Sequence, residues 1–193
     1  NGYDWGELSD QLEQKQIDLT HSIVETDERK EFLLFSKTYI ELPMVYFGRQ
    51  GEDRIEQIED LSGKRIGVVK GFAHGEIYRQ KHPDFILIEQ ESVEEALISL
   101  SAGSVDVVSI TLPIANYIIT RNFISGLEVI GREKLPEIGD RLSLKFGVRD
   151  DWPLFISILN KAIDAVTDNE RQQLSNRWLR QYDQTHTIEL TND

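Results

Sequence analysis

A chain of 193 residues with 34 acidic and 21 basic side chains carries a formal charge of −13. It is long enough to bury a full core without staples, and its acidity argues against a general nucleic-acid binder or charge-driven docking on anionic membranes. Cysteine is absent, which excludes disulfides, thiolate metal sites and thiol catalysis.

No stretch approaches the ~20 apolar residues of a spanning helix; one of the longest, Leu112–Ile119, is broken by Asn116. The opening Asn1-Gly2-Tyr3-Asp4-Trp5 has neither a basic nor an apolar leader pattern, so no signal peptide is visible. Trp5, Leu8 and Leu12 have helical spacing. Ile17-Asp18-Leu19 predicts a short strand. Thr26-Asp27-Glu28-Arg29 predicts a helix start, with Thr26 as the cap and two acids at the positive end of the dipole. Pro43–Phe47 is strand-like and Gln50–Arg54 is a polar loop.

From there strands and helices alternate. Arg65–Val69 reads as a strand, His74–Lys81 as a helix ending before Pro83, and Phe85–Ile88 as a strand. Ser92 and Glu95 stand at capping-box spacing before a helix with Val93, Ala96, Leu97 and Leu100 on one face, ended by Gly103. Val105–Ile110 is a further strand, Pro113 suits the first turn of the next helix, and Leu127–Ile130 and Leu142–Val148 are strands. Pro153 opens a helix with Leu154, Ile158, Leu159, Ala162, Ile163 and Val166 on one face, and Asp168 caps a last helix carrying Leu174 and Trp178. This order predicts an α/β protein with mostly parallel sheets flanked by helices.

Much chemistry is missing. The histidines at 21, 74, 82 and 186 have no ligand spacing, so no metal site is expected. Gly63-Lys64 resembles the end of a phosphate loop, but Ile58 and Arg65 break the pattern. No nucleophile elbow or dinucleotide fingerprint occurs. Two local features stand out. Arg29 lies in a predicted first helical turn, where a cation is disfavoured unless it holds an anion; the plainer reading pairs it with Glu25 or Glu28. Val69-Lys70-Gly71 ends a strand before a helix, a turn that can offer N–H groups to an anion or serve as a tight connection.

The ordered set Ile17-Asp18-Leu19, Thr26-Asp27-Glu28-Arg29, Phe35-Ser36-Lys37-Thr38-Tyr39, Leu61-Ser62-Gly63-Lys64, Gly103-Ser104-Val105-Asp106 and Trp178-Leu179 resembles the family 3 extracellular solute-binding domain. That resemblance implies a two-lobed, periplasmic-binding-protein-like Venus flytrap. By it, residues 1–44 and 146–180 form lobe 1, residues 45–145 form lobe 2, and 181–193 are a polar tail. The family pattern opens with a strand, a helix and a second strand ahead of the Trp5 helix; lobe 1 here is expected to lack that first βαβ unit of about 30 residues or more.

Leu112-Pro113-Ile114-Ala115-Asn116-Tyr117-Ile118-Ile119 and Val148-Arg149-Asp150-Asp151-Trp152-Pro153 resemble the flytrap domains of bacterial membrane sensors, mainly histidine kinases and diguanylate cyclases. The implied role is extracytoplasmic ligand sensing in a membrane-anchored receptor. A soluble importer component and a cyclohexadienyl-dehydratase-like enzyme are the alternatives. The implied partner is a small, carboxylate-bearing solute, with no nucleic acid, no cofactor, membrane contact only through segments outside this chain, and homodimerisation left open.

By the same resemblance Arg29 grips the ligand carboxylate near Ser22 and the backbone of Val24, and Phe72, Ala73 and Thr111 line the other lobe. Amino-acid binders of this family often carry a Thr at the lobe 2 turn and an Asp before the Pro-led helix. Here those places read Gly71-Phe72-Ala73 and Thr111, which implies poor affinity for α-amino acids.

Overall fold

The computed structural model describes residues 5–137 and 139–178. The expected polar tail at 181–193 and the side chains of Trp5 and Trp178 lie outside what is described. In chain order the elements are α1 (Trp5–Glu13), β1 (Leu19–Ile23), β2 (Leu33–Phe35), β3 (Ile40–Arg49), β4 (Arg65–Val69), α2 (Ala73–Lys81), β5 (Ile86–Gln90), α3 (Val93–Ser101), β6 (Val107–Thr111), α4 (Leu112–Arg121), β7 (Leu127–Arg132), β8 (Arg141–Arg149), α5 (Pro153–Ala165) and α6 (Asp168–Trp178).

Two long strands organise everything. The first part of β3 pairs with the first part of β8, with Leu42 opposite Leu142. Beyond Pro43, β3 changes partners and runs between β6 and β7. Beyond Leu144, β8 likewise leaves β3 and pairs with β1 and β2. A small strand group (β1, β2 and the end of β8) and a large one (β3 to β7) are therefore joined by two antiparallel crossings.

Parallel pairing is confined to β4 with β5 and β6; the other five pairings are antiparallel. This corrects the expectation of mostly parallel sheets. Parallel neighbours need a crossover connection, and α2 and α3 supply one on each side of β5. The crossing strands each traverse once between the groups and so oppose their neighbours.

The large group is covered on both faces. Ala96, Leu97 and Leu100 of α3 and Ala115 of α4 pack with Val45, Phe47, Val108 and Ile110. On the other face Tyr78 of α2 joins Tyr46, Ile66, Val68, Val107 and Ile130. Alternation along β3 sends Val45 and Phe47 one way and Tyr46 the other, as the strand period of two requires. The smaller core is Leu12, Ile23 and Leu33, where α1 packs on β1 and β2.

Local signals settle several ends. Ser92 Oγ accepts the Glu95 N–H at 3.1 Å, while the Glu95 carboxylate turns to the N–H of Glu91. Asp106 accepts the backbone N–H of Arg65 and two of its guanidinium N–H groups, which ties the turn after α3 to β4.

Three predicted features differ. The helix expected from Thr26 is a single 3-10 turn, Arg29–Glu31, because the β-rich Leu33-Leu34-Phe35 immediately joins β8. The cap of α6 is Thr167, not Asp168: its hydroxyl accepts the Glu170 N–H, and the Glu170 carboxylate accepts the Thr167 N–H. The apolar stripe of α5 is only partly covered by the described residues. Ile163 is buried, but Leu154 and Ile158 are 81% and 59% exposed.

Candidate functional site

A cavity of about 310 Å³ opens between the two strand groups. Its back wall is the crossing itself: Leu42 and Met44 from β3, and Leu142 and Leu144 from β8. Each pair is two residues apart and so lies on one face of its strand. Ser22, Val24 and Arg29 close one side; Gly71, Phe72, Ala73, His74, Ile110, Thr111 and Ile114 close the other. All six residues singled out from sequence, Ser22, Val24, Arg29, Phe72, Ala73 and Thr111, line this one cavity.

The small-group side is built around a bulge. Register shifts between Thr20 and Ile23, and Ser22 sits at φ 57°, a conformation non-glycine residues rarely hold without support. Tyr39 provides it: its hydroxyl accepts the Ser22 N–H at 3.0 Å and shares a hydrogen bond with Ser22 Oγ at 2.9 Å. The chain then turns, and Arg29, 5% exposed, sends its guanidinium back. Nη1 donates to the Val24 carbonyl and Nη2 to the Gly71 carbonyl, both at 3.0 Å. Nη2 also approaches Glu76 at 3.4 Å.

The plainer sequence reading paired Arg29 with Glu25 or Glu28, and Glu28 does act on it through its negative charge. Glu25 binds Lys30 and Lys145 instead. Burial lowers the Arg29 pKa, opposed by the negative charge of Glu76 and then of Glu28. Burial raises that of Glu76, against the pull of Arg29. Arginine stays protonated under both influences.

The large-group side comes from two helix starts. Gly71 takes φ 72°, which glycine permits, and the Phe72 N–H closes the turn on the Val69 carbonyl. Ala73 and His74 open α2. Thr111 ends β6 opposite Met44 and stands at the N-cap of α4, where its side chain makes no capping bond.

Sequence reasoning missed His74, which is 3% exposed. Its ring meets Phe72 and Tyr78 edge-on, and burial holds its pKa down to about 4, so the imidazole is neutral at pH 7. The i, i+4 spacing of His74 and Tyr78 was the available signal. Behind it lies a second feature not foreseen. The Glu133 carboxylate, 2% exposed, accepts the hydroxyls of Tyr46, Tyr78 and Ser109 and the N–H groups of Lys134 and Leu135. Tyr46 and Ser109 are a cross-strand pair next to Met44 and Thr111, so one sheet face carries the cavity wall and then this network.

The family model of bacterial extracellular solute-binding proteins, family 3, matches residues 1–181. The chain belongs to this family. Among curated relatives, virulence sensor protein BvgS of Bordetella pertussis is 26% identical over 172 residues, which is 89% of this chain and 14% of that protein. ABC transporter arginine-binding protein 1 of Escherichia coli is 28% identical over 160 residues, 81% of this chain and 63% of the relative. The chain therefore spans only a small part of the sensor and less than two thirds of the transporter protein.

Among solved structures, the periplasmic VFT2 domain of Bordetella pertussis BvgS superposes with a TM-score of 0.74 at 24% identity, over 90% of this chain and 72% of that one. An ancestral arginine-binding protein bound to arginine gives 0.76 at 23%, over 93% and 79%. The fold of this family 3 domain is accordingly that of the Venus flytraps. As a member of the solute-binding family, the chain is a solute-binding domain.

Proposed function

We propose that this chain is the extracytoplasmic ligand-sensing domain of a membrane-bound signalling receptor, a sensor histidine kinase or similar. In this reading lobe 1 comprises residues 1–44 and 146–180, lobe 2 comprises residues 45–145, and the exchange of partners along β3 and β8 is the hinge. A small anionic solute lies between the lobes, and closure around it is the signal. Membrane attachment runs through segments outside this chain.

The observation that carries the ligand reading is the charge of the cavity. Arg29 is the only charged side chain among its described lining residues, set against walls of Leu, Met, Ile and Phe. A guanidinium in an apolar cleft suits a carboxylate, which it can hold through two parallel hydrogen bonds. The same lining contains no Asp or Glu, and Glu76 beside it is engaged with Arg29, so the α-ammonium of an amino acid, or the guanidinium of arginine, meets no free counter-charge. Leaving a buried charge unpaired costs about 3–5 kcal/mol, or roughly two to four orders of magnitude in affinity. The arginine binding of several relatives is therefore not carried over.

The sensor role is supported by the match to BvgS over 89% of this chain. The arginine-binding relatives favour a soluble importer component as the second reading. The full-length gene separates them: a downstream membrane span and signalling module against a stop shortly after the domain. Calorimetry separates the ligand classes. Simple monocarboxylates are expected to bind; a micromolar or tighter dissociation constant for any common α-amino acid would overturn the anionic reading.

A further inference from the structure

Two buried polar atoms of cavity-lining residues have no hydrogen-bond partner among the described residues: Nε2 of His74 and Oγ1 of Thr111. Both residues are nearly inaccessible, at 3% and 2% exposure, and both line the cavity. Native proteins rarely leave such groups unsatisfied, and each instance calls for a reason. A structural reason is available for neither. Thr111 holds the N-cap position of α4, yet its hydroxyl is not used as a cap and Met44 faces it across the sheet. The neighbours of His74 are the aromatic edges of Phe72 and Tyr78, and the hydroxyl of Tyr78 is committed to Glu133. Each residue stands at the start of a helix, α2 or α4, on the side of the cavity opposite Ser22 and Val24.

We infer that His74 and Thr111 determine specificity in this cavity, and that the solute they select carries a neutral oxygen, as hydroxyl or carbonyl, away from its carboxylate. The inference rests on the reading that the solute lies here with its carboxylate on Arg29. The chemistry follows from the two groups. A threonine hydroxyl both donates and accepts, and a neutral imidazole nitrogen does one or the other according to tautomer. Together they satisfy a hydroxyl, or a carbonyl if Nε2 carries the proton. Neither supplies a charge, so a cationic group gains hydrogen bonds without a counter-ion, and a purely apolar group leaves both atoms as unsatisfied as before.

Calorimetry on the wild-type domain tests this with matched probes: pentanoate against 4-oxopentanoate, 5-hydroxypentanoate and 5-aminopentanoate, and phenylacetate against 4-hydroxyphenylacetate. A site built to bond a substrate oxygen discriminates against its absence, so in at least one series the oxygenated acid should bind about tenfold tighter than its parent or better. 5-Aminopentanoate should be the weakest of its series. In His74→Phe and in Thr111→Val the ratio of oxygenated to parent affinity should fall toward one, and Thr111→Ser should restore it. Because the readout is a ratio within one variant, modest destabilisation does not mimic it. Equal binding of parents and oxygenated acids, or a preference that survives both substitutions, overturns the inference while leaving the cavity as the solute site. If none of these acids binds, or Arg29→Ala leaves their binding unchanged, the site reading itself fails and the inference falls with it.

Discussion

Arg29 and Gly71, 42 positions apart, both line the cavity and are joined by a 3.0 Å hydrogen bond from Nη2 to the Gly71 carbonyl. The donor follows β1 in the small strand group and the acceptor follows β4 in the large one. With the contact to Glu76, one guanidinium bridges the two sides of the cleft while its other nitrogen is held by Val24. Removing it in Arg29→Ala strands two part-buried carbonyl groups, and a lost partner of this kind costs about 1–3 kcal/mol. The urea midpoint should fall accordingly, and the radius of gyration from solution scattering should rise as the two sides part. Lysine cannot reproduce the two-directional fork, so Arg29→Lys should recover only part of either quantity. Unchanged scattering in Arg29→Ala would show that the bridge does not hold the cleft.

Glu76 competes with any bound carboxylate for the same guanidinium. The Glu76 side chain is 25% exposed and the pair is long, so its worth is modest, up to about 1 kcal/mol. In Glu76→Gln, phenylacetate affinity should rise about threefold to fivefold, and more at low salt than at high. Weaker binding would instead place Glu76 as a support that positions Arg29.

The buried imidazole makes stability pH-dependent. His74 titrates near 6.5 when unfolded and at about 4 when folded. Between those values the unfolded chain binds a proton that the folded one refuses, so stability is full above pH 6.5 and is lost as pH falls toward 4. At about 1.4 kcal/mol per unit the window holds about 3 kcal/mol. The negative charge of Glu133 opposes the shift, and Glu76, whose own pKa is raised, contributes a smaller effect of opposite sign. Between pH 7 and 5, His74→Gln should flatten the urea-derived stability profile by about 2 kcal/mol. An equally steep profile in the variant would assign the slope elsewhere.

The Glu133 network is a place where one substitution should be severe. Glu133→Leu leaves three hydroxyls and two backbone N–H groups without their acceptor, and the loss should reach about 3–5 kcal/mol. Tyr78→Phe removes one donor and should cost about 1 kcal/mol. Nearly equal urea midpoints for the two variants would mean that the carboxylate is not the hub.

The sequence by itself determined most of the elements and, through the ordered resemblance, the family. β4 coincides with the predicted Arg65–Val69, and Ser92 and Pro113 mark helix starts where expected, because strand alternation and capping are local chemistry that survives in any tertiary setting. The resemblance also gathered Ser22, Val24, Arg29, Phe72, Ala73 and Thr111, which the fold brings to one cavity. What only the tertiary structure decided is long-range. Arg29 reaches Gly71 and Glu76 as well as the nearby Val24 carbonyl, since partner choice for a buried cation depends on which groups the fold delivers to it. His74 looks like any lone histidine until α2 packs it under Phe72. Glu133 looks like one of many surface acids until Tyr46, Tyr78 and Ser109, contributed by three separate elements, converge on it. Periodicity reports which face a residue occupies, but burial and hydrogen-bond partners are set by the elements that cover that face.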